Sequence, residues 1–130
     1  MLVTILKAHD NFVTVSTPYG NFSGRWCAPS IPQKFKTYDV ELDTSDIIDN
    51  IAVWKTETKA PSISCVDHEV YLTGLFECHE DRVLFVRLGD SLVMFETNEE
   101  FDILRFKGAY VCVKMSEIQL WDTGLLVHQY

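Results

Sequence analysis

The sequence predicts an all-β protein, and three observations carry that reading. Val, Ile and Thr number 13, 8 and 10 against 5 Ala, and β-branched side chains pack well on a pleated surface while crowding the preceding turn of a helix. Apolar and polar residues alternate with period two over 12–16 (Val13 and Val15 against Thr14 and Ser16) and over 38–43 (Tyr38, Val40 and Leu42 against Asp39, Glu41 and Asp43), as half-buried strands do. Turn-forming residues recur at short intervals, at 9–11, 18–21, 80–81 and 89–91, which reads as successive hairpins.

Taken in order, residues 1–7 form an apolar run too short for a signal-peptide core, which leaves a cytoplasmic location as the expectation. In 28–32, Pro29 and Pro32 lack the amide donor of a helix and allow only a turn. The segment 46–54 fits either a strand or a helical stripe, because Ile47, Ile48 and Ile51 share one helical face. A polar stretch over 55–62 with Pro61 near its end reads as a linker. Beyond it, strands are expected near 69–78, 82–88, 91–96, 108–114 and 117–121. A helical turn is expected over 98–104, where Thr97 and Glu100 have capping-box spacing and Phe101 and Leu104 follow on one face. The runs at 83–88 and 92–95 are apolar on both faces, so both faces are expected to be covered, by the other half of the chain or by a second copy in a homodimer.

Comparing the chain with itself at an offset of 71 gives seven identities: Asp10/Asp81, Val15/Val86, Phe35/Phe106, Lys36/Lys107, Val40/Val111, Ser45/Ser116 and Ile47/Ile118. Five of them fall in 35–47, one strand-sized stretch with its lead-in, which points to an internal repeat. The expected architecture is therefore two pseudo-repeated units, 1–56 and 57–130. Each is a small five-stranded barrel with a short helical turn, in the strand order of OB and SH3-like barrels. A single β-sandwich is the alternative.

Function is constrained mostly by exclusion. Nineteen Asp and Glu against 11 Lys and Arg give a net charge of −8, which disfavours sequence-independent nucleic-acid binding. The content of 47 % apolar and 12 % aromatic residues is too high for a disordered chain, and no apolar run approaches the roughly 20 residues that span a bilayer. No nucleophile elbow, phosphate-cradling glycine loop or H-E-x-x-H helix is present, so no catalytic residues and no enzyme activity are expected.

Cys65, His68, Cys78 and His79 invite a zinc reading, because thiolate and imidazole are the usual ligands of structural sites. Neighbours on one strand, as Cys78 and His79 would be, point to opposite faces, and Cys65 with His68 leaves two ligands unfound. No metal or cofactor is expected, and Cys27, Cys65, Cys78 and Cys112 are expected to be free, mostly buried thiols. The acid-flanked histidines, His68 and His79, read as solvated turn residues. Phe12, Tyr19, Phe22 and Trp26 could stack on single-stranded bases, but only Lys7 and Arg25 accompany them before Lys34, so they read as core and rim.

The placement of acids is the most distinctive feature. Asp39, Glu41, Asp43, Asp46 and Asp49 have no basic residue among them, and two further blocks, 67–81 and 90–102, are also rich in Asp and Glu. Clustered carboxylates accelerate encounter with a cationic partner, and buried aromatic rings slow its dissociation. The expected partner-binding residues are Asp39, Glu41, Asp43, Asp46 and Asp49 with Tyr19 and Trp26, and Trp54 and Trp121 are further candidate anchors. The expected function is an acidic protein–protein interaction module: an immunity or inhibitor protein that neutralises a basic toxin such as a nuclease. The alternatives are a small barrel binding an oligonucleotide or small ligand, and a noncatalytic assembly subunit.

Overall fold

A computed structural model describes residues 1–125, and within them the protein is all-β. The strands are β1 (Leu2–His9), β2 (Phe12–Thr17), β3 (Gly20–Trp26), β4 (Thr37–Asp43), β5 (Val53–Lys55), β6 (Ser62–Val66), β7 (Glu69–Glu80), β8 (Val83–Leu88), β9 (Ser91–Glu96), β10 (Tyr110–Met115) and β11 (Gln119–Asp122). A single 3-10 turn spans Leu104–Phe106. Among the described residues no helix is long and apolar enough to cross a membrane.

Period-two alternation sends Val3 and Ile5 of β1, Val13 and Val15 of β2, Phe22 and Trp26 of β3, and Tyr38 and Val40 of β4 to one interior. These strands close into a barrel in the order β1-β2-β3-β11-β4. The closing strand β11 lies parallel to β3 and antiparallel to β4, and its Leu120 is fully buried. Gly24 of β3 makes room for it, since a Cβ there would stand 2.7 Å from both the Ile118 carbonyl oxygen and a Leu120 methyl.

The second sheet runs β5-β10-β7-β8-β9, with β6 also paired to β7. The 12-residue β7 is long enough to serve β6 and β10 with its first half and β8 with its second. Its hairpins to β6 and β8 turn on Asp67-His68 and Asp81-Arg82, both pairs at positive φ, the conformation that matches the twist of two-residue hairpins. A parallel bridge from Ile48 to Thr97 extends the edge of β9. β5 comes from the first segment of the chain and joins the second sheet, while β11 comes from the last and joins the barrel. Each sheet thus holds a strand from across the expected 56/57 division. One contiguous core runs through both sheets.

Several expectations are corrected. The helical turn expected over 98–104 lies instead at Leu104–Phe106, and Thr97 does not cap it: its hydroxyl is bonded to Nε2 of His79 at 2.7 Å. The ambiguous segment 46–54 is not helical. Ile48 bridges Thr97, Asp49 Oδ1 accepts the Ile51 and Ala52 amides at 3.0 Å, and β5 follows. Only Cys112 is buried, Cys65 being exposed and Cys27 and Cys78 half-buried. Both faces of β9 are not covered either: Val93 and Phe95 are in the core, whereas Leu92 and Met94 are 42 % and 55 % exposed.

Candidate functional site

The uncovered face of β9 borders a groove of about 790 Å³ where the second sheet meets the barrel. That volume lies within the roughly 300–1,000 Å³ of ligand clefts. β4 supplies Asp39, Glu41 and Asp43, the turn before β9 supplies Asp90, and β9 and β11 supply Leu92, Met94 and Trp121. Two sequence-distant segments are brought together by the packing of the sheets, which is latched by the β2–β3 hairpin. The Ile63 amide of β6 donates to the Tyr19 carbonyl at 3.0 Å, and the Asp90 amide donates to the Tyr19 hydroxyl at 3.3 Å. Gly89 (φ 60) is required in that turn twice over. Its backbone is left-handed, and a Cβ would stand 1.8 Å from the Tyr19 hydroxyl oxygen.

The acids sort into structural and available groups. Glu69 pairs with Lys114 at 3.0 Å, Glu99 with Arg82 at 3.0 Å, Glu117 with Arg25 at 3.9 Å, and Glu77 with Arg87. The Arg87 guanidinium beside Glu77, chiefly through their hydrogen bond, holds that carboxyl below the usual carboxylate range. In the groove, Asp39 accepts from the Met1 amino group at 2.9 Å and the Thr123 hydroxyl at 3.1 Å. Among the described residues Glu41, Asp43 and Asp90 form no ion pair with lysine or arginine. Asp43 makes one local bond, accepting the Thr44 amide at 2.7 Å.

Of the expected partner-binding residues, the structure brings Asp39, Glu41 and Asp43 together in the groove. Asp46 lies elsewhere and is spent on the fold, accepting the Ser116 amide at 2.7 Å and the Ser116 hydroxyl at 2.6 Å, and Asp49 caps its own turn. Tyr19 is the latch between the sheets. Trp26 is 4 % exposed, edge-on to Tyr38 with its indole N–H donated to the Ser30 carbonyl, so it is a core residue and presents no surface. Phe22 is likewise buried, while Phe12 is exposed beneath Arg25 at 5.3 Å. Trp54 is remote from the groove, edge-on to Tyr71. Asp90, Leu92 and Met94 are the groove residues that sequence reasoning missed. The signal for Leu92 and Met94 was the apolar run 92–95, in which only Val93 and Phe95 could face one core, and that for Asp90 was the acid-rich block 90–102.

Cys65 and His68 do not converge with Cys78 and His79. Cys65 packs beside Ser23, and His79 stacks on Phe101. Among the described residues no group of three or more His, Cys, Asp and Glu is arranged to hold a metal ion. No family model, curated protein sequence or solved structure matches this chain.

Proposed function

We propose that the protein is a binding module whose groove receives a cationic protein surface. The observation that carries this reading is the coincidence of uncommitted carboxylates at Glu41, Asp43 and Asp90 with exposed Leu92, Met94 and Trp121 in one concavity. Charge of one sign steers a basic partner and rejects an acidic one. The apolar side chains supply the desolvated contacts that slow dissociation. The same chemistry suits an immunity or inhibitor protein that covers the cationic active site of a basic toxin such as a nuclease.

The test is capture from native extract by the immobilised parent chain and by a Glu41→Lys, Asp43→Lys, Asp90→Lys variant, followed by titration of the purified partner. A basic protein retained by the parent, released by salt and lost by the variant is expected. Equal retention by both removes the groove from the function.

The fold also supports reading the two sheets as one small-barrel unit used twice, of the OB or SH3-like type. β2 and β8 are six residues each, 12–17 and 83–88. The two long hairpins are bulged 71 residues apart, between Ile5 and Lys7 and between Phe76 and Cys78. In this reading β5 and β11 are the fifth strands of the two units, exchanged between them.

A further inference from the structure

We infer that the outer edge of β9 takes an extended, lysine- or arginine-bearing segment of a partner protein as an added strand. The inference rests on the cationic-partner reading above and specifies how the groove would hold that partner.

Its basis is the direction of the backbone groups. The hairpin between β8 and β9 has two loop residues, Gly89 and Asp90, so Leu88 and Ser91 are the pair that exchanges both hydrogen bonds. Alternation along an antiparallel ladder then makes Val86 with Val93 and Leu84 with Phe95 bonded pairs, and Arg87 with Leu92 and Phe85 with Met94 non-bonded ones. The N–H and C=O groups of Leu92 and Met94 therefore turn away from β8. Glu96 has the same parity and proves the direction, since its carbonyl accepts the Ile48 amide at 2.8 Å, with the Asn98 amide returning to the Ile48 carbonyl at 3.1 Å.

One end of this edge already pairs with a strand-like segment of the chain itself, and the pairing stops there. Among the described residues nothing accepts from or donates to the outward backbone groups of Leu92 and Met94. The part of β3 that β11 does not reach is treated differently: it lies against β6, and its Ser23 amide donates to Cys65 Sγ at 3.3 Å.

Native sheets blunt exposed edges with charge, proline or a covering element. Here the edge strand instead presents Leu92 and Met94 on its exposed face, beside a groove that opens along it. Charge selects the occupant. A second copy would bring the same carboxylates against Glu41, Asp43 and Asp90, and like charges placed together oppose association. An extended segment carrying lysine or arginine satisfies the carboxylates, and its backbone satisfies Leu92 and Met94, as in recognition by strand addition.

The test uses the full chain, isotopically labelled, and three synthetic octapeptides: alternating Lys and Val, the same peptide N-methylated at alternate backbone nitrogens, and alternating Glu and Val. At low salt the Lys/Val peptide should bind and slow hydrogen exchange at the Leu92 and Met94 amides by at least about tenfold, and N-methylation should weaken binding by a similar factor. The Glu/Val peptide should not bind.

If the N-methylated peptide binds as well as its parent, while Glu41→Lys with Asp43→Lys abolishes binding, strand addition is wrong and the acidic-groove reading survives. If those reversals change nothing and no groove amide is protected, both fail. Protection of Leu92 and Met94 that rises with protein concentration in the absence of peptide assigns the edge to self-association and overturns the inference.

Discussion

Replacing Leu120 by alanine should destabilise both sheets together, although Leu120 sits in only one of them. The side chain is fully buried in the barrel, and β11 reaches it from the end of a segment whose preceding strand, β10, is central to the other sheet. Truncating a buried leucine costs about 3 kcal/mol, from lost transfer energy and the residual cavity. The unfolding entropy of 130 residues, at about 2.1 cal/mol/K each, is about 0.27 kcal/mol/K, so the midpoint should fall by about 11 °C.

Two single-tryptophan chains report the sheets separately, one keeping Trp26 in the barrel and the other keeping Trp54 on β5, with the remaining tryptophans changed to phenylalanine. Thermal unfolding by fluorescence, with and without Leu120→Ala in each background, should show equal falls at both probes. If the Trp54 midpoint stays where it was while that of Trp26 drops, the halves melt independently and the argument from strand exchange is refuted.

The other expectations are smaller in scale. His68 stands at φ 66 in the β6–β7 turn, so His68→Gly should stabilise by about 0.5–1 kcal/mol and raise the calorimetric midpoint by about 2–4 °C; a lower midpoint contradicts it. Asp39→Ala should lose about 1–2 kcal/mol in urea unfolding because the Met1 amino group and Thr123 hydroxyl lose their acceptor. Glu41→Lys, in the same groove, should stay within about 0.5 kcal/mol; equal losses from the two would place Glu41 in the fold.

Glu77 has its folded-state pKa lowered by Arg87. Its contribution is therefore present above the unfolded value of about 4.3 and disappears as pH falls through the folded-state value. Arg87→Gln should be less stable than the parent at neutral pH, with the difference closing in acid, as urea midpoints across the pH range will reveal.

Much of the fold could be read from local pattern. The strand expected at 12–16 is found at Phe12–Thr17, and the one at 91–96 has those bounds, because alternation and turn residues act over a few positions. Which strands become neighbours is a different question. Period-two patterning sets the face of the strand near 117–121 but carries no information that β3 and β4, more than 70 residues away, are the elements it joins. The capping signal at Thr97 is local and carries no information on long-range partners, and in the fold the hydroxyl is bonded to His79 of β7.

The site was half legible for the same reason. Asp39, Glu41 and Asp43 share an exposed face by alternation alone, and Trp121 stood among the candidate anchors. That Asp90, Leu92 and Met94 lie across from them depends on how two sheets dock. Trp26 reads from the sequence both as a core or rim aromatic and as a candidate anchor, and its position in β3 points it into the barrel, which leaves it no part in binding.

The late arrival of β11 governs how the chain is made. A ribosome moving at about 5–20 residues per second will have released β1 to β4 many seconds before the strand that seals them exists. Until residues 119–122 emerge, the barrel is an open sheet with Trp26 and Phe22 near a seam that nothing fills. The nascent N-terminal segment should accordingly stay protease-sensitive and chaperone-bound until the closing strand appears, rather than folding as it is synthesised.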